Sequence, residues 1–205
     1  MKDATSIIII MDKSGSMMHV QSDAIGGYNA FLAEQQAEPG EADLTLVLFD
    51  TNYTIGPATP LAEARPLTAD LYRPGGNTAL LDALGNALTR TGKRLADLPE
   101  DERPNKVIVV IITDGEENSS RQYTLAQVKE MILHQQEKYS WQFLFLGANQ
   151  DVFAEAGKLG IPQGTAADFK AVQGGVSRAY TGTSFAVSSY RREGKIDTDW
   201  KKKGN

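Results

Sequence analysis

Two runs of unbroken apolar residues constrain this chain most. Ile7–Met11 reads Ile-Ile-Ile-Ile-Met and Val107–Ile112 reads Val-Ile-Val-Val-Ile-Ile, and each stops abruptly at polar residues, Asp12 in one case and Thr113-Asp114-Gly115 in the other. A strand with one wet face alternates apolar and polar side chains. A short β-branched run that is apolar at every position needs cover on both faces, as in the interior of a parallel sheet. Trp141–Leu146, closed by Gly147, and Leu44–Phe49 have the same character. Leu44–Phe49 is followed by Asp50-Thr51-Asn52 and the β-like Tyr53-Thr54-Ile55, a connection short enough for a hairpin, so one edge strand is expected to run antiparallel.

Segments of helical period lie between these runs. Val20, Ala24, Ile25, Tyr28, Phe31 and Leu32 describe one apolar face that ends at Pro39-Gly40, and Leu80, Leu81, Leu84, Leu88 and Leu95 describe another after Gly75-Gly76-Asn77-Thr78. Leu125, Val128 and Ile132 mark a further helix, and Val152, Phe153 and Ala156 a shorter one. A long last helix is expected from Val172 to Tyr190. It contains Gly174, Gly175 and Gly182, so its order should depend on packing, and it is expected to be movable. Gln163–Phe169 can hold a final short strand, and Pro57–Pro74, with four prolines, reads as a long connection. Alternating strands and helices predict an α/β fold: a doubly wound, mostly parallel central sheet with one antiparallel edge strand and helices on both faces. The expected organisation is a single domain over 1–193 and a polar, frayed tail over 194–205.

Composition then removes chemistries. The chain has no cysteine, so thiolate zinc sites, disulfide frameworks and cysteine nucleophiles are all excluded. Lys+Arg number 21 against Asp+Glu 26, a net charge of −5, which argues against a nucleic-acid partner. The longest aliphatic run is six residues where a membrane span needs about 20, and the apolar stretch near the start is too short for a secretory signal. A cytoplasmic protein without membrane attachment is expected. There is no Gly-x-x-x-x-Gly-Lys-Ser/Thr phosphate loop, no Gly-x-Gly-x-x-Gly after the first strand and no Gly-x-Ser-x-Gly nucleophile elbow.

In open α/β sheets ligands bind beyond the carboxyl ends of the strands, so the residues after each strand matter most. Asp12-Lys13-Ser14-Gly15-Ser16 follows the first strand, Thr113-Asp114-Gly115 follows Val107–Ile112, and Thr78 precedes the leucine-faced helix. Taken singly these read as a polar turn, an Asp-Gly turn and a helix N-cap. Together they place Asp12, Asp114, Ser14, Ser16 and Thr78 on one edge of the sheet. A donor set made only of oxygen suits a hard cation, Mg²⁺ or Mn²⁺ with Ca²⁺ possible, and the lack of cysteine and of a nearby histidine pair argues against zinc.

This pattern of Asp12-x-Ser14-x-Ser16, Thr78 and a strand-terminal Thr113-Asp114-Gly115 resembles the von Willebrand factor A (vWA) domains that carry a complete metal-ion-dependent adhesion site. The resemblance covers most of the chain. It implies that Ser14 and Ser16 ligate directly, that Thr78 ligates directly or through water, and that Asp12 and Asp114 act mostly through water and hydrogen bonds behind the ligands. It also implies a partner protein whose Asp or Glu joins the metal, within an intracellular multi-protein system such as those served by small stand-alone prokaryotic or phage-type vWA proteins.

Neutral hydroxyls leave the charge of a cation incompletely cancelled, which is itself a reason to expect a carboxylate from outside. The rim that would select it draws on Met17, Met18, His19, Asn77, Glu116, Glu117, Asn118, Asn149 and Gln150. Met17 and Met18 are equally readable as contact residues or as core beneath the loop. Glu116 and Glu117 either turn away or select a partner with basic residues beside its acid. Asp50 and Asp82 are expected in turn and helix-surface roles, and His19 and His134 at the surface. A non-enzymatic binding module is the leading expectation. The alternative is a metal-dependent hydrolase or phosphoryl-transfer enzyme, in which His19 would have to serve as base.

Overall fold

The computed structural model describes residues 1–148 and 151–204. Seven strands form one sheet: β1 (Lys2–Asp12), β2 (Glu41–Phe49), β3 (Tyr53–Ile55), β4 (Thr59–Pro60), β5 (Pro104–Thr113), β6 (Gln142–Gly147) and β7 (Ala166–Asp168). Their spatial order is β3-β2-β1-β5-β6-β7, with β4 also paired to β2. The pairs β1–β2, β1–β5, β5–β6 and β6–β7 are parallel. β3 is the expected antiparallel edge strand, and the two-residue β4 runs antiparallel along the same side of β2. The helices are α1 (Gln21–Ala37), α2 (Leu80–Asp97), α3 (Leu125–Tyr139), α4 (Val152–Lys158), α5 (Gly175–Glu193) and α6 (Trp200–Lys203). This is the doubly wound α/β architecture that the apolar runs imply. No helix among the described residues is long and apolar enough to cross a membrane.

The runs are buried on both faces because successive side chains point to opposite sides of the strand. Ile7, Ile9 and Met11 of β1 join Ile108, Val110 and Ile112 of β5 in a core closed by Tyr28 and Phe31 of α1 and Val176, Tyr180 and Val187 of α5. Ile8, Ile10, Val109 and Ile111 face the other way, against Leu84 and Leu88 of α2, Val128 and Ile132 of α3 and Ala156 of α4. Each such residue contributes roughly 1.5–3 kcal/mol by leaving water. Polar substitution in either run therefore opens one of the two cores.

The C-terminal third departs from expectation. The last helix begins at Gly175, and Val172 lies before it with half its surface exposed (51%). The glycines mark close contacts. Gly174 is left-handed (φ +80°) at the N-cap, a Cβ on Gly175 would stand 1.8 Å from the Lys170 carbonyl oxygen, and Gly182 packs against the backbone of Trp200 and Gly204. α5 is also tied to α1 at both ends. Asp23 accepts hydrogen bonds from the Val176 and Ser177 amides. The buried Arg191 guanidinium donates to the Gln35, Glu38, Pro39 and Gly40 carbonyls and to Gln35 Oε1. The tail expected to fray instead folds back. Trp200 is 1% exposed and its indole donates to the Gly164 carbonyl at 3.0 Å, so a buried aromatic ring with its polar edge satisfied anchors this end of the chain. The last strand is trimmed to β7 by a 3-10 turn over Gln163–Thr165.

β1 lies between β2 and β5, so the chain leaves it in one direction to build β2 and returns on the other side to build β5. The crevice this creates, beyond the carboxyl ends of β1 and β5, is where such a sheet offers a site.

Candidate metal centre

Asp12 is the last residue of β1 and Thr113 the last of β5, so the sheet register sets their side chains side by side. Thr113 Oγ1 donates to Asp12 Oδ2 at 2.6 Å, and the Ser14 amide donates to Asp12 Oδ1, also at 2.6 Å. The second bond is a local turn in which Asp12 fixes the backbone two residues on. It orients Ser14 and Ser16 to the same side: their hydroxyls are 3.0 Å apart, and Ser16 Oγ donates to Asp114 Oδ1 at 2.6 Å.

Thr78 arrives on a separate loop, held to the first by the Gly15 amide on the Gly76 carbonyl (3.0 Å) and the Gly75 amide on the Lys13 carbonyl (2.9 Å). A Cβ added to Gly115 would lie 3.1 Å from Thr78 Oγ1 and 3.7 Å from Ser16 Oγ. Both hydroxyls thus converge against the Gly115 backbone, at a position where a side chain would intrude. Asp12, Ser14, Thr78 and Asp114 are each no more than 3% exposed, whereas Ser16 is exposed, so the cluster has a closed floor and one open side.

Two features show that the donor set fits a cation. Asp114 Oδ2 is buried and has no hydrogen-bond partner among the described residues, an arrangement costly for an oxygen that water cannot reach. Burial also pushes the Asp12 carboxyl up to about 6, against the lowering effect of its bonds from Thr113 and Ser14, and raises that of Asp114 despite Ser16 and the nearby His19. Two desolvated carboxylates and three hydroxyls are oxygen donors suited to Mg²⁺ or Mn²⁺. Among the described residues no group of three or more His, Cys, Asp or Glu side chains forms a metal cage, so any ion here must rely on the hydroxyls.

The remaining candidates separate by environment. Met17 is fully buried and Met18 is 63% exposed, so one is core and the other is rim. Glu117 turns away, its carboxylate accepting from the Leu81, Ser119 and Ser120 amides and the Ser120 hydroxyl, whereas Glu116 stays exposed. Asn118 clasps Thr78, its Oδ1 taking the Thr78 amide (2.9 Å) and its own amide donating to the Thr78 carbonyl (3.0 Å). The Asn77 amide is held by Thr51 Oγ1. His19 Nε2 donates to the Ala171 carbonyl at 2.8 Å, and His134 is exposed as expected. Asn149 and Gln150 lie outside the described residues.

Asp50 keeps its turn role, accepting from the Asn52 amide, and pairs with Lys13. Asp82 does not sit on a helix surface. It is 5% exposed, and its carboxylate gathers the Arg121, Gln122 and Tyr123 amides, because the loop after β5 folds over the start of α2 and has donors to satisfy. Sequence patterning does not reveal Tyr72. Its ring is wholly buried beneath the site and its hydroxyl donates to the Asp12 carbonyl at 2.5 Å. Burial, together with the Asp12 and Asp114 charges, raises its pKa, so the hydroxyl stays protonated and donating. An aromatic residue inside a proline-rich connection is the only signal the sequence offers for it.

By sequence, no family model and no curated protein matches the chain. By fold it is similar to solved vWA structures. Manganese-loaded TRAP protein of Plasmodium vivax aligns at 14% identity and TM-score 0.57, over 82% of this chain and 69% of that one. Proximal thread matrix protein 1 from the mussel byssus, with a zinc-occupied MIDAS motif, aligns at 15% and 0.57 over 88% and 44%. A von Willebrand factor type A protein from Catenulispora acidiphila aligns at 15% and 0.59 over 90% and 42%. The chain therefore spans less than half the length of the last two. At these identities the likeness gives the chain the vWA fold, and two of the three similar structures carry a divalent metal.

Proposed function

We propose that this chain is a divalent-cation-dependent protein-binding module that recognises an acidic residue of a partner. The observation that carries the reading is that Asp12, Ser14, Ser16, Thr78 and Asp114 come together at one edge of the sheet, where one buried Asp114 oxygen has no hydrogen-bond partner among the described residues. In this reading the three hydroxyls and two carboxylates hold Mg²⁺ or Mn²⁺, with Ca²⁺ the less favoured ion. The cation supplies a hard positive centre, incompletely neutralised by hydroxyl donors, to which an Asp or Glu carboxylate of another protein is the complementary group.

The surroundings support a protein partner. Of the seven large hydrophobic residues exposed among the described residues, five belong to segments at the carboxyl-end side of the sheet: Met18, Leu71, Leu125, Phe153 and Val172. Exposed apolar side chains on that side of the sheet suit a macromolecular surface. We further propose that the chain is not itself an enzyme and that it works in the cytoplasm within a multi-protein system.

The test is affinity purification from the native host with the wild-type chain in Mg²⁺, repeated with EDTA and with Asp12→Ala. A partner retained in Mg²⁺ and lost in both controls supports the reading. A partner indifferent to chelation and to Asp12→Ala contradicts it.

A further inference from the structure

Gly115 borders two spaces. On one side it meets the Thr78 and Ser16 hydroxyls. On the other it lines a cleft of about 220 Å³ between the start of α2, the loop after β5, the start of α3 and the end of α4. The floor is apolar: Leu80, Phe145 and Leu159 are almost fully buried beneath it, Leu81 is half-buried, and Leu125 is 40% exposed at its edge. Its charges are largely satisfied. Lys158 is paired with Glu155, and the Glu117 carboxylate accepts four hydrogen bonds from its own loop and from α2. Glu116 alone is exposed at the rim without an ion pair among the described residues.

We propose that this cleft receives an aliphatic side chain of the same partner segment that offers its carboxylate to the metal, so that the module reads an acid and a neighbouring Leu- or Met-like residue together. The proposal rests on the metal-site reading above. Three observations select this occupant. The cleft adjoins the proposed cation site, because Gly115 lines the cleft and also meets the Thr78 and Ser16 hydroxyls. Its floor offers carbon and its polar groups are already bonded, so an apolar side chain gains by burial and strands nothing. A second acid is disfavoured by the exposed Glu116 carboxylate at the rim.

The test uses the ¹⁵N- and methyl-labelled full chain in Mg²⁺, titrated with blocked pentapeptides that carry a central Asp. The reference peptide has glycine elsewhere, and the others carry Leu at each remaining position in turn. At one position Leu should tighten binding by about five- to ten-fold, the fraction of a full leucine transfer expected for a half-open cleft. The Leu80, Leu125 and Leu159 methyl signals should shift with that peptide and not with the reference. Leu125→Ser, at an exposed position in the first turn of α3, should remove the gain while leaving the reference affinity unchanged. If the reference binds in a Mg²⁺-dependent way and Leu adds nothing at any position, the cleft proposal is overturned and the metal-site reading stands. The cleft proposal is likewise overturned if the gain survives Leu125→Ser and the three methyls stay silent. If no peptide responds to Mg²⁺, both are overturned.

Discussion

Ser16 Oγ donates to Asp114 Oδ1 across 2.6 Å, joining the turn after β1 to the end of β5, while the other oxygen of the same carboxylate lies buried without a partner among the described residues. Half of Asp114 is satisfied by protein and half is left for something else. The Asp12 side chain, by contrast, is bonded at both oxygens, by Thr113 and by the Ser14 amide. The two carboxylates therefore differ: both oxygens of Asp12 are used to shape the turn, and Asp114 keeps one oxygen without a partner among the described residues.

Replacing Ser16 with alanine tests the shared space. Its loss takes the Ser16 donor from the buried Asp114 carboxylate and should destabilise the metal-free chain by about 1–3 kcal/mol. The affinity for Mn²⁺, measured by calorimetry, should fall at least about ten-fold, as should that of Thr78→Val. Unchanged affinity in both variants would remove the hydroxyls from the ligand set.

The raised carboxyl pKa of Asp12 sets a pH signature. Its folded value of about 6 lies above the ordinary 3.8, so between those values the folded chain holds a proton that the unfolded chain has released. The contribution of Asp12 to metal-free stability is therefore greatest below about pH 4 and is lost as pH rises through 6, by on the order of 3 kcal/mol. Asp114 shifts in the same direction. A bound cation favours the ionised forms, so the Tm gain on adding Mg²⁺ should grow from about pH 5 to about pH 7. Thermal melts with and without Mg²⁺ check this, and a pH-independent gain would contradict it.

Asp82 anchors the loop that carries Glu117 and Asn118. Asp82→Ala leaves three backbone amides without their acceptor and should destabilise the chain by about 3 kcal/mol, a Tm loss of about 6–12 °C. Since Asn118 clasps Thr78, Mn²⁺ affinity should fall as well. A melt showing no change would mean that the loop is held elsewhere.

α5 is pinned at its start by Asp23, at its end by Arg191 and along its length by α6 through Gly182. Hydrogen exchange over residues 175–193 should stay the same when Mg²⁺ is added. In Arg191→Met, which strips five acceptors of their donor, exchange at the C-terminal end of the helix should accelerate. Faster exchange in the wild type on adding Mg²⁺ would show that these anchors yield.

The sheet is legible in the sequence because runs such as Ile7–Met11 admit only one environment, and the gathering of Asp12, Ser14, Ser16 and Asp114 follows from where such strands end, whereas Thr78 comes from the loop before α2. What escapes is long-range and set by tertiary contacts. Nothing near Tyr72 in sequence announces that its hydroxyl reaches the Asp12 carbonyl 60 residues away. Asp82 falls on a helix, where a carboxylate ordinarily faces water, and only the fold of the following loop buries it. The glycines of α5 read as looseness because their contacts, Lys170 and Trp200, lie outside the helical period. Trp200 itself is obscured by the lysines around it.

Calorimetric titration of Mn²⁺ and Mg²⁺ into the wild-type chain, Asp12→Ala and Asp114→Asn decides whether the five oxygen-bearing residues form one cation site. A single site in the wild type should take both ions, with affinity reduced by about ten-fold or more in each folded variant. Equal heats in all three proteins, or none in the wild type at millimolar metal, would contradict it.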